Sequence, residues 1–141
     1  MGRPPGSRAI PVVNYLRLGE DGPRLVATVC DRCDARYLGT RMACSRCGGA
    51  DFSERPVPGR GTVGSFTIVH RGPASVPKPF VSALVDLEDG TTVKANVIGC
   101  RPDPSEVWLN MPVELRTFDA GTDSDGVTAV AFGFAPVGAG V

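Results

Sequence analysis

The segment CDRCDARYLGTRMACSRC, residues 30–47, decides the interpretation of this sequence because it contains two Cys-x-x-Cys pairs. Zinc in structural sites is tetrahedral and prefers thiolate ligands, so two such pairs supply a complete four-sulfur shell. A shell of four thiolates leaves no position for a reactive water, which excludes catalysis at the metal. The spacing therefore predicts one structural zinc ion held by Cys30, Cys33, Cys44 and Cys47.

The residues that follow each pair suit the tight turns of a metal-binding knuckle. Gly48 follows the second pair and takes a positive φ freely, and Asp34 follows the first pair and is one of the few other residues that tolerate it. A thioredoxin-like redox pair is disfavoured because that motif opens a helix and occurs once, whereas here the motif is duplicated. We expect both knuckles to form.

Composition indicates an all-β protein of ordinary single-domain size. The 141 residues include 18 Gly and 13 Pro, which favour many turns over long helices. We expect a flexible tail with an N-terminal arm or short helix over residues 1–22, a zinc ribbon over 23–58 and a five-stranded barrel over 59–141. The first nine residues are expected to be disordered, and residues 10–18 fit either a short helix or an extended arm.

Charge and hydropathy restrict the surroundings in which the chain acts. No stretch reaches the roughly 18 apolar residues of a membrane helix, and the start lacks the apolar core of a secretory signal, so we expect a cytoplasmic protein that does not bind membranes. Residues 1–60 carry ten Arg against six acidic residues, and residues 61–141 carry five basic against nine acidic residues. The N-terminal half would then attract phosphate-bearing ligands, unless its arginines are only solvated surface residues.

Turn signals divide the chain into short strands. Leu25–Cys30 is a predicted strand that leads into the first knuckle, residues 36–41 a strand and turn, and Glu54–Gly61 a linker. Five further strands are predicted, which suits a small barrel of the OB-fold type. They cover residues 63–70, 80–87, 91–98, 113–118 and 127–134.

A helical turn is predicted between the third and fourth of these five strands. Asp103 can cap it, Pro104 fits its first position and Glu106 can reach back as in a capping box. The apolar group that follows, Trp108 to Pro112, either seals the end of the barrel or anchors a protein partner.

Two further residues, His70 and Cys100, have side chains of the kind that act in catalysis. His70 is the single histidine and ends a predicted strand, where it is either a surface residue or a ligand contact. Cys100 has no evident base beside it, so a small buried hydrophobic residue is the favoured interpretation. Without a nucleophile elbow, a pair of catalytic carboxylates or a P-loop, the sequence indicates a protein that is not an enzyme.

Together these features resemble the DUF35 family, which combines an N-terminal rubredoxin-like zinc ribbon with a C-terminal OB-fold. The resemblance runs from about Tyr15 to Phe134. Besides the cysteine pairs, four segments carry it: GTVGSFTIVHR at 61–71, PFVSALVDL at 79–87, NVIGC at 96–100 and NMPVE at 110–114. At 108–110 the sequence departs from the family, which more often ends this turn in Gly.

The resemblance implies a non-catalytic accessory subunit. Proteins of this family form complexes with thiolase-like enzymes, including thiolases and the retro-aldolases that shorten steroid side chains. The partner carries the catalytic residues, while the accessory subunit supports its fold and helps to hold the acyl-CoA. The implied assembly is a hetero-oligomer with a dimeric thiolase-like partner.

Arginine forks are suitable donors for the phosphates of coenzyme A. The candidate contacts lie on the ribbon and at the rim of the barrel: Arg32, Arg36, Arg41, Arg46, His70 and Arg71. The alternative function is single-stranded nucleic-acid binding, which OB-folds and zinc ribbons both serve. The acidic barrel half disfavours it, because such a site needs a positive groove with stacking aromatics.

Overall fold

The structure is a computed structural model that describes residues 8–19 and 22–138. The described residues form strands and turns, without a helix that could cross a membrane. The ten strands are β1 (Arg8–Pro11), β2 (Leu16–Gly19), β3 (Gly22–Cys30), β4 (Arg36–Leu38), β5 (Phe52–Pro56), β6 (Arg60–Val69), β7 (Phe80–Leu87), β8 (Thr92–Val97), β9 (Pro112–Thr122) and β10 (Val127–Pro136). The predicted all-β class is confirmed.

The chain packs into two compact units. Among the described residues, the first unit comprises those up to Pro56 together with Thr117–Phe132, and the second comprises Val57–Arg116 and those from Gly133 onward. Parts of β9 and β10 therefore group with the N-terminal residues by packing. The boundary expected between residues 58 and 59 stays a prediction.

In the first unit, β3 is the central strand of the ribbon. It pairs antiparallel with β2, β4 and β5, and in the last of these pairings Cys30 lies opposite Phe52. Its apolar residues from Leu25 to Ala27 are buried, as is Val29 next to the first knuckle. Because strands hold β3 on both sides, the first cysteine enters its turn from a fixed position.

The N-terminal residues are extended rather than helical. β1 pairs in parallel with β10, with Arg8 opposite Val127 and Pro11 opposite Val130. Arg8 and Ala9 were expected in the disordered tail, and they lie instead in this strand, whose partner is more than a hundred residues away in the sequence. Residues 1–7 of the expected tail lie outside the described residues.

The predicted linker at 54–61 is wrong over most of its length. Glu54 to Pro56 belong to β5, where Thr28 faces Glu54 and Val26 faces Pro56, and Arg60 already begins β6. Prolines suggested a break, but β5 pairs with β3 alone among the described strands, and an edge strand tolerates the missing N–H group of Pro56. The connection is reduced to residues 57–59.

The second unit contains the core of the barrel. Strands β6, β7 and β8 form an antiparallel meander, the start of β9 pairs with β6, and the end of β10 pairs in parallel with β8 at Phe134 and Val97. Pairing of β9 with β10 closes the ring of five strands, which confirms the predicted OB-fold layout. Alternate residues of β7 and β8 point inward, among them Val81, Val85, Val93 and Val97.

Close backbone contact joins β6 to β7 at a glycine. A Cβ atom on Gly61 would meet the carbonyl oxygen of Asp86 and the Cα atom of Leu87 at 3.0 Å or less. Real Cβ atoms do not approach backbone this closely, so only glycine fits between the two strands at this point.

The single helical turn predicted between β8 and β9 forms, because the Glu106 amide donates to the Asp103 carbonyl at 2.9 Å. The Asp103 carboxylate accepts hydrogen bonds from the Ser105 amide and hydroxyl at 2.9 and 2.8 Å, as a cap would. Glu106, however, reaches back past Asp103 and accepts a bond from the Arg101 amide at 3.0 Å. The Asp103 cap therefore forms and the capping box does not. The two carboxylates stabilise one isolated turn that does not continue into a helix.

Candidate metal centre

The first knuckle is a backbone loop closed by two hydrogen bonds. Asp34 donates its amide to the Cys30 carbonyl at 3.0 Å, and Cys30 donates its amide to the Ala35 carbonyl at 2.9 Å. Asp34 has a φ of 63°, the left-handed conformation expected for it from the sequence. This turn directs the Cys30 and Cys33 side chains toward the same point.

The second knuckle repeats the same pattern with the same spacing. Gly48 donates to the Cys44 carbonyl at 2.8 Å, Cys44 donates to the Gly49 carbonyl at 2.7 Å, and Gly48 has a φ of 77°. In addition the Gly49 amide points at Cys47 Sγ, 3.4 Å away, and the Arg46 amide at Cys44 Sγ, also 3.4 Å away. Such amides stabilise negative charge on the sulfurs.

The two knuckles bring all four sulfurs together. Every pair of these atoms lies within 4.8 Å, with 3.5 Å between Cys30 and Cys47 and 3.6 Å between Cys33 and Cys44. Sulfurs at the Zn–S distance of about 2.3 Å in a tetrahedron would be about 3.8 Å apart. The donor set and its dimensions therefore fit a four-thiolate zinc ion, whose contribution there would be to fold stability.

Tyr37 is a neighbour of the sulfurs that the sequence analysis missed. Its hydroxyl lies 3.4 Å from Cys44 Sγ and 2.9 Å from Ser45 Oγ, and it accepts a bond from the Ser45 amide at 3.2 Å. The Arg41 guanidinium lies over the Tyr37 ring, 4.2 Å from its centre. Tyr37 thus ties β4 to the second knuckle, and only its place between the two cysteine pairs could have drawn attention to it.

Two of the four thiols have pKa values that are shifted in opposite directions by their surroundings. The Tyr37 hydroxyl lowers the pKa of Cys44, and the Cys47 and Arg46 amides act in the same direction. Burial opposes them, and the resulting pKa is about 6. For Cys33 the Ala35 amide acts in the same sense, but burial and the neighbouring thiols prevail and raise its pKa to about 12. A bound divalent metal would supply the positive charge that stabilises thiolates placed this close together.

Four of the predicted coenzyme A contacts are on the ribbon. Arg32 and Arg46 are exposed on the first and second knuckles, and Arg36 is exposed on β4. The side-chain stem of Arg32 lies against Gly49, so its charge is held beside the second knuckle. Arg41 is the stacked partner of Tyr37 described above, and the roles of all four stay predictions.

The two remaining predicted contacts lie in the second unit. His70 and Arg71 are exposed and follow the end of β6, in the loop that leads to β7. Lys78 braces this loop, because its ammonium group donates to the carbonyl oxygens of Pro73 and Val76, the latter at 2.8 Å. The loop therefore presents His70 and Arg71 on a braced backbone.

Cys100 is half-buried rather than buried as expected. Burial, with a smaller effect from the Glu106 carboxylate, raises the pKa of its thiol. A raised pKa keeps the sulfur protonated, which is opposite to what a nucleophilic cysteine requires.

The apolar group at 108–112 divides into an inner and an outer part. Met111 is 1% exposed and belongs to the barrel core, whereas Trp108 and Leu109 are 54% and 57% exposed. Asn110 has a φ of 66°, so it adopts the conformation for which a glycine is more usual at this turn. The departure at residue 110 therefore preserves the backbone. Met111 fits the first alternative, a seal of the barrel, and anchoring of a partner by Trp108 and Leu109 stays a prediction.

Comparison with known proteins matches two domain families in succession along the chain. Sequence models of two domain families match: the rubredoxin-like zinc ribbon domain of ChsH2 at residues 20–53 and the C-terminal OB-fold domain of ChsH2 at residues 54–118.

Relatives of similar length also match over most of the chain. A protein of Methanocaldococcus jannaschii named DUF35 domain-containing scaffold protein is 30% identical over 80% of this chain and 82% of its own. The benzoylsuccinyl-CoA thiolase subunit BbsA of Geobacter metallireducens is 31% identical over 86% and 82%. Among solved structures, a chain of the Ltp2-ChsH2(DUF35) aldolase is 30% identical with a TM-score of 0.64, over 81% of this chain and 85% of that one.

Proposed function

The chain belongs to the DUF35 family, and from this premise we propose that it is a non-catalytic accessory subunit that binds and stabilises a thiolase-like enzyme acting on acyl-CoA. The observation that carries the proposal is the match, over most of both chains, to a relative named as a thiolase subunit. A chain of the same two domains also occurs in a complex named an aldolase. Thiolases and retro-aldolases, including those of steroid side chains, are the enzymes to test.

The chemistry of this chain supports an accessory role. The four clustered cysteines would form a closed shell around zinc, which offers no site for a reacting water. Cys100 keeps its proton, and His70 is exposed at the end of β6. We therefore assign the chemical step to the partner and the zinc to the folding of the ribbon, which is too small to be stable without a metal.

We further propose that the chain helps to hold the coenzyme A part of the substrate. Arg32 and Arg46 extend from the two knuckles, and His70 and Arg71 from the braced loop after β6. Guanidinium groups bind phosphate through paired hydrogen bonds, and coenzyme A carries a pyrophosphate and a 3′-phosphate. Acetyl-CoA binding to the complex should weaken in Arg46→Ala and Arg71→Ala variants and stay unchanged in Arg24→Ala, an exposed arginine on β3.

Single-stranded nucleic-acid binding has less support. OB-folds bind oligonucleotides on the outer face of their second and third strands, here β7 and β8. The outward residues of these strands in the described structure carry one aromatic ring, that of Phe80, and one basic and one acidic group, those of Lys94 and Asp86. They therefore do not form the positive groove with several stacking aromatics that such a site needs.

Co-expression tests the accessory role directly. The chain is produced together with each thiolase-fold protein of the same genome, and the mixtures are separated by size-exclusion chromatography with light scattering. We expect one partner to co-elute as a hetero-oligomer and to be more soluble and more active with the chain than alone. Separate elution in every case, with an enzyme fully active alone, would contradict the proposal.

A further inference from the structure

Trp108 and Leu109 form an exposed apolar pair on one turn, here called the Trp-Leu turn. Their side chains are 54% and 57% exposed, although the residues on either side, Val107 and Met111, are each 1% exposed. The chain is thus buried at Val107, exposed at Trp108 and Leu109, and buried again at Met111. Large apolar side chains are costly to expose, and Trp is among the residues most enriched at the centres of protein interfaces.

Backbone hydrogen bonds hold the Trp-Leu turn against β6. The Asn110 amide donates to the Val63 carbonyl at 2.7 Å, the Val63 amide donates to the Met111 carbonyl at 3.1 Å, and the Met111 amide closes the turn onto the Trp108 carbonyl at 3.2 Å. The buried side chains on both sides fix it further. Binding through this turn would therefore lose little backbone entropy, which is the condition for an effective anchor.

The charges near the turn decide what kind of partner it fits. Arg101 is the nearest cation along the chain, and its guanidinium is paired with the Glu106 carboxylate. The other charged residue of this loop is Asp103, whose carboxylate accepts the bonds from Ser105. A nucleic acid or an anionic membrane requires unpaired positive charge beside the apolar group, and this loop has none to offer. An apolar pocket on a protein is the complementary surface.

We propose that Trp108 and Leu109 insert into an apolar pocket of the thiolase-like partner and anchor the complex. This inference rests on the proposed function, because the protein that provides the pocket is the proposed partner enzyme. One relative of matching length is named as a thiolase subunit, and another is a chain of a complex named an aldolase. Arg101 and Glu106 lie at the polar rim of the contact. The side chains of the pair are anchors, and neither takes part in the reaction.

Binding measurements with matched variants test the anchor. Trp108→Ala and Leu109→Glu are compared with Leu84→Glu, which places the same charge at a leucine that is 45% exposed on β7. Residues of this type at an interface centre typically change the Kd by about 30-fold or more when truncated. We expect such a loss in both turn variants, with unchanged zinc content and circular dichroism, and a change within about threefold for Leu84→Glu.

The outcomes separate the anchor from the accessory role. If the wild-type chain binds its partner and the turn variants bind equally well, the anchor is wrong and the accessory role stands. If no thiolase-fold protein binds the wild-type chain, both are wrong. If the chain alone is a dimer that Trp108→Ala dissociates, the turn covers a second copy of the chain and the anchor is also wrong.

A spectroscopic measurement gives an independent answer, because Trp108 is the only tryptophan of the sequence. The chain labelled with 5-fluorotryptophan has one ¹⁹F resonance, recorded with and without the unlabelled partner. Insertion of the ring into a pocket predicts a shifted and broadened resonance that no longer responds to a water-soluble quencher or to D₂O. A resonance with the chemical shift and solvent response of the free chain, in a sample known to be complexed, would overturn the anchor.

Discussion

At the scale of single residues, Tyr37 gives the metal centre a feature that cysteine spacing does not predict. Its hydroxyl bridges Cys44 Sγ and the backbone of Ser45, so it restrains the second knuckle from the side of β4. Groups that hydrogen-bond to metal ligands commonly alter metal affinity by about 10- to 100-fold when removed. The position deserves a direct test.

The Tyr37→Phe variant should bind zinc but release it faster to a chelator. Phe keeps the ring under Arg41 and removes only the hydroxyl that contacts the knuckle. Competition with a coloured chelator should show zinc affinity lowered by about tenfold or more. Tyr15→Phe is the matched control, because the Tyr15 ring packs edge-on against Phe132 in the same unit. Equal zinc release from both variants would show that the Tyr37 hydroxyl does not stabilise the metal centre.

Asn110 permits a second test at this scale. Its φ of 66° is a conformation that glycine adopts freely and alanine at a cost of about 1 kcal/mol. We expect Asn110→Ala to lower the free energy of unfolding by about that amount and Asn110→Gly to leave it equal or higher, as measured by urea denaturation. Asn96→Ala, at an exposed position of β8, serves as the control. A loss in Asn110→Gly as large as that in Asn110→Ala would show that the amide side chain itself matters.

At the scale of elements, glycines of the barrel differ in what they tolerate. A Cβ atom on Gly61 would overlap the backbone of β7, whereas one on Gly59 would make an ordinary 3.7 Å contact with Leu115 Cβ. Overpacking of this kind typically costs about 1–3 kcal/mol. We predict that Gly61→Ala lowers the free energy of unfolding by at least this much, while Gly59→Ala changes it little. Two variants of equal stability in thermal denaturation would contradict the close packing of β6 on β7.

The elements also show which parts of the fold a sequence reveals. The five barrel strands were predicted because alternating apolar residues and turn signals are local, as in β7 and β8. Glu54 to Pro56 of β5 were predicted as part of a linker because Pro56 and Pro58 are local signals as well, whereas the pairing of β5 with β3 is not local. The prediction for β1, disorder up to Ala9 and a helix or arm from Ile10, missed the strand for the same reason, since its partner β10 lies at the other end of the chain. Contacts distant in sequence were the ones missed.

The candidate sites divide in a similar way. The four cysteines and the positive φ values of Asp34 and Gly48 follow from spacing and residue type alone. The separation of buried Met111 from exposed Trp108 does not, because four neighbouring apolar residues look alike until the backbone turn between them is known. Tyr37 belongs with the second class, since its hydroxyl reaches the knuckle only through the pairing of β4 with β3.

At the scale of the whole molecule, the metal centre and the barrel should respond differently to loss of zinc. The ribbon places four cysteine sulfurs within 4.8 Å of one another, and metal binding contributes on the order of 10 kcal/mol to such sites. We predict that a strong chelator raises hydrogen exchange throughout β3, β4 and β5. The β7–β8 hairpin, whose inward residues form the barrel core, should stay protected.

Mass spectrometry of exchanging amides, before and after chelation, measures this difference peptide by peptide. Restoring zinc should restore protection of the ribbon, which distinguishes metal loss from irreversible damage. Unchanged exchange in β3 to β5 would mean that the ribbon does not need the metal. Equal loss in the hairpin would mean that the metal stabilises the barrel as well.

The unequal exposure of the four cysteines has a practical consequence. Cys30 and Cys44 are buried, whereas Cys47 is exposed. With zinc bound, peroxide or an alkylating reagent in solution therefore meets Cys47 first, and loss of that single ligand opens the shell. The zinc-to-protein ratio of a purified sample should therefore fall with its exposure to oxidant after cell lysis, through oxidation of Cys47.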